Sequence, residues 1–382
     1  MYSRFMLLSV RHKFNYLVRR WKKFSILKLL LIGFISFLLS CALLNQVAPA
    51  PEIPIISEKL RKFEEHKNDY NTLFFGSSRI YRHIIPRVFD RRMASQGYDI
   101  KSYNLGVSGM NFAETYFFLQ KILETKPMNV KWVFIESPDF DLNIADENLK
   151  TDRVIYWHTL EHTLWIYQFI LESDVPLTRK LFLIREHTIP LIYHIFNISQ
   201  ADPLIRSFIF SQPDQNPYLI RERDRRDYSS PGEDGYLALD DEDPTYTQFA
   251  QRNQDYLSNL ESYQKKVLKL IENQKKSNDR TFLKPLELRT IKEITQLIIK
   301  MDAQPILILS PILSNQSQLV IASQGGQISP LISFNDPIKY PELYDPKNRF
   351  DSDHLNKTGA QKFTKLLADQ FATYLNSKNI NP

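Results

Sequence analysis

The sequence predicts an α/β protein with a parallel sheet, preceded by one transmembrane helix. Residues 70–145 and 280–378 alternate short apolar runs with amphipathic segments, which is typical of strands and helices in a parallel sheet. Residues 29–47 carry no charge and are long enough to cross a bilayer as a helix. With 382 residues, of which 43% are hydrophobic, the chain can bury a substantial core.

Basic residues are concentrated at the N-terminus. The formal net charge is +6, but residues 1–28 hold eight Lys or Arg and no acid, and the other 41 basic residues are offset by 43 acidic ones. A folded basic face is therefore not predicted, and a nucleic-acid partner is excluded. Because the basic tail precedes the apolar span, the positive-inside rule places the N-terminus in the cytoplasm and the chain after about residue 50 on the periplasmic side. The expected location is the cytoplasmic membrane, with a single pass.

Two processed forms compete with this uncut anchor. A charged segment before an apolar core is also the pattern of a cleaved signal peptide, and "VAPA" offers small residues for the cut. Cys41 follows Leu-Leu-Ser, which is similar to a lipoprotein processing site. The uncut anchor is favoured because the apolar run is long for a signal core and continues past Cys41. Cys41 is the only cysteine, so an intramolecular disulfide and a cysteine metal cluster are both excluded.

The chain divides into a tail, an anchor, a linker and one domain. We place the basic tail at residues 1–28, the anchor at 29–47 and the linker at 48–69. One domain is expected from 70 to 382, with a helical and loop-rich insertion at about 150–280.

The first part of the domain has three expected strands, "TLFF", "KSYNLG" and "VKWVFIES". A helix opened by Pro86 and closed near Gly97 separates the first two, since Pro suits the first helical position and Gly suits the end. A second helix begins at Asn111, with Glu114 as its capping-box partner.

The remaining predicted elements lie in the insertion and in the C-terminal part of the domain. Residues 150–225 are rich in aromatic residues at helical spacing, and a long polar helix is expected at 251–275. Then "LELRTIKEITQLIIKMDAQ" predicts a helix, "PILILSP" a strand, and the final helix starts near Asn356.

Polar side chains follow the first strand at the point where it ends. After "TLFF" come Gly76, Ser77 and Ser78, at the carboxyl edge of the sheet, where α/β proteins commonly build their sites. Near the C-terminus, Asp351 lies three residues before His354 on a loop ahead of the last helix. A serine becomes a nucleophile when an imidazole removes its proton and a carboxylate orients that imidazole.

Three sequence blocks together resemble the SGNH (GDSL-type) hydrolase superfamily. In that family a strand ends in Gly-Asp-Ser, a second block reads roughly Asn-x-x-x-Ser-Gly, and the last reads Asp-x-x-His-Leu-Asn. This chain has Gly-Ser-Ser at 76–78, "NLGVSG" at 104–109 and "DSDHLN" at 351–356, in the same order. The resemblance covers roughly residues 70–145 and 280–378.

The resemblance implies a role for each matching residue. Ser78 would be the nucleophile, His354 the general base and Asp351 its orienting carboxylate, while Gly109 would donate its backbone N–H to an oxyanion. Ser77 is the alternative nucleophile. Asp353 competes with Asp351, but the three-residue step fits the turn and the family better.

The chain departs from the family at the third block. "FIESPDFD" stands at 134–141 where the family has Gly-x-Asn-Asp, so the side-chain oxyanion donor is missing. Either Asn111 or Arg79 replaces it, or the site is specialised. Loss of one such donor costs on the order of a hundredfold in rate.

The resemblance also implies an architecture and a context. The implied fold is a three-layer α/β/α, flavodoxin-like sheet, and the implied activity is a serine esterase or O-acyltransferase with no cofactor. The layout is similar to membrane-anchored D-alanine transfer proteins and to relatives that acetylate exopolysaccharides. The partners would then be a cell-envelope polysaccharide and a membrane-bound O-acyltransferase. The alternative is a catalytically weak scaffold that binds glycan or a membrane partner, with the serines and Asp351 as ordinary turn and cap residues.

Two motifs resemble metal-binding patterns, but we interpret both as having no bound metal. "HTLEH", His158 to His162, matches the His-x-x-Glu-His pattern of some zinc peptidases, but no third ligand is evident, and His187 and His194 are read as structural too. The acidic run at 232–248 lacks the oxygen spacing of an EF-hand and predicts a solvated loop. We therefore predict no metal site.

Overall fold

The structure is a computed structural model that describes residues 26–45, 51, 53–198, 229–276 and 283–380. Its centre is a five-stranded, all-parallel sheet with strand order β2-β1-β3-β4-β5. The strands are β1 (Thr72–Phe75), β2 (Ser102–Asn104), β3 (Trp132–Glu136), β4 (Gln304–Leu309) and β5 (Leu331–Ser333). The predicted α/β class with a parallel sheet is confirmed.

Helices connect the strands and make up most of the remaining described chain. They are α1 (Ile26–Asn45), α2 (Ile56–His66), α3 (Ser78–His83), α4 (Pro86–Ala94), α5 (Phe112–Glu124), α6 (Asp152–Trp157), α7 (Leu160–Glu172), α8 (Leu177–Ile195), α9 (Thr247–Ser258), α10 (Leu260–Lys276), α11 (Pro285–Ile299), α12 (Ser317–Gln324), α13 (Pro341–Tyr344) and α14 (Lys357–Ser377).

Both faces of the sheet are buried, which explains why its strands are continuously apolar. Alternate side chains of a strand point to opposite faces. Leu73 and Phe75 of β1 belong to one hydrophobic cluster, which also contains residues of α2, α5, α7 and α11. Phe74 of the same strand belongs to a second cluster, with residues of α4 and α14. The sheet therefore lies between two packed layers of helices.

Local signals in the sequence explain several helix starts. Pro86 is the first residue of α4, and the side chain of Asn111 accepts the N–H of Glu114 at the start of α5. Asn356 caps α14 in the same way, through the N–H of Gly359. These caps fix the entry of α5 and α14, which begin on either side of the site described below.

The N-terminal helix α1 is long and apolar enough to span a membrane. Its last part packs against the end of α8. The rings of Phe37 and Phe196 stack with centroids 5.6 Å apart, and Asn197 Nδ2 donates to the carbonyl of Cys41 at 3.1 Å. Asn45 Nδ2 donates to the carbonyl of His194 at 3.2 Å. These contacts connect α1 directly to the α/β domain.

Some elements differ from the sequence-based expectation. Residues 48–69, expected as a linker, contain α2, because Ile56, Lys59 and Phe63 pack into the protein. The long polar helix is divided into α9 and α10 at Asn259, which leaves the helical conformation. The expected aromatic helices of the insertion are α6, α7 and α8, and its part from 199 to 228 lies outside the described residues, as does most of the basic tail.

Candidate active site

The turn after β1 carries Ser77 and Ser78. Gly76 is required between the strand and the serines because a Cβ there would lie 2.5 Å from Glu136 Cβ and from Ile80 Cγ1. Ser77 is the N-cap of α3, and its hydroxyl accepts the N–H of Arg79 at 3.3 Å. Ser78 is the first residue of that helix, so its hydroxyl projects from the carboxyl edge of the sheet.

Ser78, His354 and Asp351 form one hydrogen-bonded row. Ser78 Oγ lies 2.8 Å from His354 Nε2, and His354 Nδ1 lies 2.9 Å from Asp351 Oδ1. Since a carboxylate only accepts hydrogen bonds, Nδ1 carries the proton and donates a hydrogen bond to Asp351. With the proton on Nδ1, Nε2 is the acceptor of the Ser78 hydroxyl, which is the arrangement that a general base needs.

Asp351 is buried and held ionised by its surroundings. Burial alone would raise its pKa, but the hydrogen bond from His354, the guanidinium of Arg252 and the N–H of Asp353 together hold the pKa of this carboxyl below its usual range. Arg252 Nη2 contacts Asp351 Oδ2 and lies 3.1 Å from His354 Nδ1. Both Arg252 and His354 therefore donate to the same carboxylate.

The loop that carries Asp351 and His354 is fixed by Arg349. The buried guanidinium of Arg349 donates to the carbonyls of Asp351 and Ser352, at 3.2 and 2.7 Å. Asp351 Oδ1 also accepts the backbone N–H of His354 at 2.8 Å, closing a tight turn. The Asp-x-x-His spacing thus places both side chains on one rigid turn.

A second imidazole, that of His83, is hydrogen-bonded to the backbone of this loop. His83 Nε2 accepts the N–H of Leu355, the residue after His354, at 3.0 Å. Burial lowers the pKa of His83 well below its usual value. His83 is therefore neutral and acts here as a fixed hydrogen-bond acceptor.

Glu136 is a buried carboxylate at the end of β3, beside the serines. Its Oε2 accepts the backbone N–H of Ser77 at 2.6 Å, and its Oε1 accepts Arg79 Nε at 2.5 Å. The position corresponds to the unmatched third block, and the ion pair neutralises Arg79 at the site. Glu136 was not among the predicted site residues, although one acid at the end of an otherwise apolar strand is a signal that the sequence contains.

The three candidate oxyanion donors, Gly109, Asn111 and Arg79, line the cavity at Ser78. Gly109 has φ of 69°, a left-handed conformation that suits glycine, and it lines the cavity at Ser78. Asn111 lines that cavity as well, and its Oδ1 is used in capping α5, so its Nδ2 is the group left to face a ligand. Arg79 also lines the cavity but is paired with Glu136.

Asn104 connects the loop of Gly109 to the helix of Ser78. Its Nδ2 donates to the carbonyls of Ile80 and Ile84, both at 2.8 Å, and its Oδ1 accepts the N–H of Gly106 at 2.9 Å. This fully buried amide holds α3 and the 105–110 loop in a fixed relation.

A cavity of about 300 Å³ opens at Ser78 and His354. Its polar wall includes Asn111, Glu136 and Asp139. Its apolar wall is formed by residues such as Ile294 and Leu307. The cavity thus has a polar wall beside Ser78 and an apolar wall opposite it.

The structure brings together most of the candidate residues. Ser78, His354 and Asp351 form the row described above, while Gly109, Asn111 and Arg79 line the same cavity. His354 contacts the hydroxyl of Ser78, while the hydroxyl of Ser77 caps α3. Asp353 is exposed and lies at the rim. Arg252 was missed, because nothing distinguishes it from the other charges of its polar helix.

The histidine motif of the insertion is buried in aromatic packing. His158 Nε2 lies 2.9 Å from His187 Nδ1, and His158 Nδ1 lies against the carbonyl of Val154. The ring of His162 packs against Tyr116, with centroids 5.9 Å apart. Within the described ranges, no group of three His, Cys, Asp or Glu side chains converges as metal ligands would.

The acidic run at 232–248 is partly paired with basic side chains. Lys357 Nζ lies 2.8 Å from Asp241, and Glu242 forms a buried ion pair with Arg82. These carboxylates therefore serve contacts to α3 and to the start of α14.

Comparison of the sequence with models of known protein families gives no match, and comparison with curated proteins gives none either.

Proposed function

We propose that the protein is a membrane-anchored serine esterase or O-acyltransferase of the SGNH type, acting on O-acyl esters of a cell-envelope polysaccharide. The observation that carries the proposal is the row Ser78–His354–Asp351, with distances of 2.8 and 2.9 Å. The strand order 2-1-3-4-5 also supports it, since this is the order of flavodoxin-like sheets with a site at the carboxyl edge. The two helix layers fit the three-layer α/β/α fold that the resemblance implies.

In the first step, Ser78 Oγ attacks the ester carbonyl while His354 Nε2 takes its proton. The new bond joins Oγ to the acyl carbon, and the bond from that carbon to the alkoxide oxygen breaks. His354 then gives the proton to the leaving alcohol, and Asp351 stabilises the imidazolium between the two transfers. Water or a sugar hydroxyl then attacks the acyl carbon while His354 Nε2 takes its proton. The bond from that carbon to Ser78 Oγ breaks, and the proton returns to Ser78.

The negative oxygen of the tetrahedral intermediate needs donors on the other side of Ser78. The N–H of Gly109 and the Nδ2 of Asn111 are the candidates, because both lie at the cavity and Arg79 is already paired with Glu136. Asn111 would take the place of the family's third-block asparagine.

The membrane setting rests on α1. Because α1 packs against α8 through Phe37 and Asn45, the domain cannot move far from the end of this helix. A site held there gains most when its acyl donor is also delivered at the membrane, which fits a membrane-bound O-acyltransferase as partner. In this proposal the domain lies on the periplasmic side.

Covalent labelling with a fluorophosphonate tests the proposal most directly. We expect the full-length protein to be labelled at Ser78, and Ser78→Ala to abolish labelling with little change in melting temperature. Ser77→Ala is the matched control: it loses a helix cap worth about 1 kcal/mol but should still be labelled. Unlabelled wild-type protein would refute the esterase and favour the scaffold that binds glycan or a membrane partner.

The substrate is tested in cells. The ester content of isolated envelope polysaccharide should fall in a deletion strain and in a Ser78→Ala strain, and the full-length protein should co-purify with a membrane acyltransferase. A rise in ester content would assign deacylation instead, and an unchanged content would contradict the glycan substrate.

A further inference from the structure

The hydrophobic core lines one side of the cavity at Ser78. Five of the residues that line it are almost completely buried and belong to one core cluster. They are Phe112, Ile135, Ile291, Ile294 and Leu307, each no more than 3% exposed. Each of them shows the cavity only a small area, so together they form an apolar floor beneath a mouth that is open to solvent.

Strands and helices of the core form this apolar floor. Ile135 of β3 and Leu307 of β4 are direct partners in the sheet register. Ile291 and Ile294 lie one helical turn apart on α11, which packs on β4 and on α5. Phe112 follows Asn111, so the apolar wall begins beside the candidate oxyanion donors. A carbonyl held between Ser78 and Asn111 would direct its carbon chain into this space.

The rim of the cavity has the opposite character. Asp139, Asp141 and Asp353 lie at it, while Arg79 is paired with Glu136. This charge distribution disfavours an acyl group that ends in a carboxylate. The interior offers no charged partner among Phe112, Ile135 and the isoleucines of α11, so a charged end of either sign would lose its hydration there.

We propose that the cavity binds the acyl part of the ester as an unbranched apolar chain. An apolar cavity of about 150 Å³ accommodates a six-carbon ring, so a cavity of about 300 Å³, part of which is the polar mouth, accommodates an acyl chain of about six carbons. This inference rests on the proposed esterase or acyltransferase function and adds the identity of the acyl group. It excludes acetyl as the preferred group.

Chain-length dependence follows from burial in this space. Each methylene that leaves water for an apolar wall contributes about fourfold to kcat/KM. Between acetyl and hexanoyl there are four methylenes, so even partial burial gives a large preference. Chains longer than the cavity must leave part of their length in water, or displace Ile291 and Ile294.

The experiment uses full-length protein in lipid nanodiscs and p-nitrophenyl esters of two, four, six, eight and twelve carbons. Each rate is divided by the rate of hydroxide hydrolysis of the same ester. We expect kcat/KM for hexanoyl to exceed that for acetyl by at least thirtyfold and to fall again for dodecanoyl. An equal or higher value for acetyl would overturn the inference while leaving the esterase in place.

A matched pair of variants on α11 locates the effect. Ile294→Phe fills the cavity and should lower the hexanoyl-to-acetyl ratio at least tenfold. Ile299→Phe makes the same change at a position that is 47% exposed and should leave the ratio unchanged. An unchanged ratio in folded Ile294→Phe protein would place the chain elsewhere. Absence of both ester hydrolysis and fluorophosphonate labelling would remove the proposed function, and the acyl-chain inference with it.

Discussion

Ser78 Oγ lies 2.8 Å from His354 Nε2, although the two residues are 276 positions apart in the chain. β1 and α3 position the serine, and the turn before α14 positions the histidine. α3 and α14 pack against each other, and Thr364 of α14 donates to the carbonyl of His83 at 3.0 Å. Both ends of the pair are therefore anchored in the same helix layer.

Asp351→Asn tests the third member of the row. The amide cannot hold His354 in the tautomer with a proton on Nδ1, so kcat should fall by about a thousandfold or more while the fold is retained. Hydrolysis of a p-nitrophenyl ester and the melting temperature measure the two effects. Asp353→Asn is the control, since this side chain is exposed and accepts a hydrogen bond from Ser352 Oγ. Equal losses in both variants would contradict the assignment.

Asn111→Ser separates helix capping from catalysis. Serine caps a helix as well as asparagine does, so the melting temperature should change little. The Nδ2 donor is lost, however, and kcat should fall by about a hundredfold if it stabilises the oxyanion. Asn111→Ala loses both groups and should be less stable by about 1 kcal/mol as well. Normal activity of the serine variant would exclude Asn111 as the donor.

Arg252→Ala tests the guanidinium that contacts Asp351. The change removes a positive charge that lowers the pKa of Asp351, so this pKa rises. Because a carboxyl with a depressed pKa contributes stability that is lost as the pH falls through that pKa, this contribution should be lost at a higher pH in the variant than in the wild type. We expect kcat/KM to fall by about tenfold at neutral pH and Arg252→Lys to recover part of it. Urea unfolding at several acidic pH values measures the stability, and an unchanged pH dependence would show that the contact has no influence on Asp351.

Glu136→Ala should destabilise the protein. The change leaves the N–H of Ser77 and the guanidinium of Arg79 without their buried acceptor. Since Arg79 retains some solvent contact, we expect a loss of about 2 kcal/mol in the free energy of unfolding, and a smaller loss for Glu136→Gln. Glu124→Ala, which breaks an exposed pair with Lys121, is the control and should change stability by less than about 0.5 kcal/mol. Equal effects of the two alanine variants would contradict the argument.

Acid should destabilise the insertion through its buried histidines. Burial lowers the pKa of His162 to about 3 and that of His187 to about 4. A histidine whose folded pKa lies below its unfolded value of about 6.5 contributes stability above pH 6.5, and this is lost as the pH falls toward the folded pKa. Each such group steepens the fall by about 1.4 kcal/mol per pH unit.

His162→Phe should therefore make the free energy of unfolding less dependent on pH between 6 and 4. The ring replaces another ring among aromatic neighbours, so the fold should tolerate it. His66→Phe changes an exposed histidine and should leave the slope as it is. Urea unfolding at several pH values measures the slopes, and identical slopes for the wild type and His162→Phe would disprove the assignment.

Local sequence patterns were enough to predict the features that depend on neighbouring residues. The apolar runs that became β1, β3 and β4, the caps at Asn111 and Asn356, and the apolar α1 all follow from local pattern, because strand and helix periodicity and capping act over a few positions. The turn that joins Asp351 to His354 belongs to this class as well. The short β5 was not predicted, since three residues carry too little pattern.

Which distant groups meet depends on how the whole elements pack. Glu136 reaches Ser77 because β1 and β3 are neighbours in the sheet, and Arg252 reaches Asp351 because α9 packs over the last loop. The contact of Asn45 with α8 and the apolar floor of the cavity, which includes Ile294, have the same origin. Each of these contacts joins residues far apart in the chain, and its energy comes from packing of whole elements. A local stretch of sequence contains no sign of a partner that the fold brings from elsewhere.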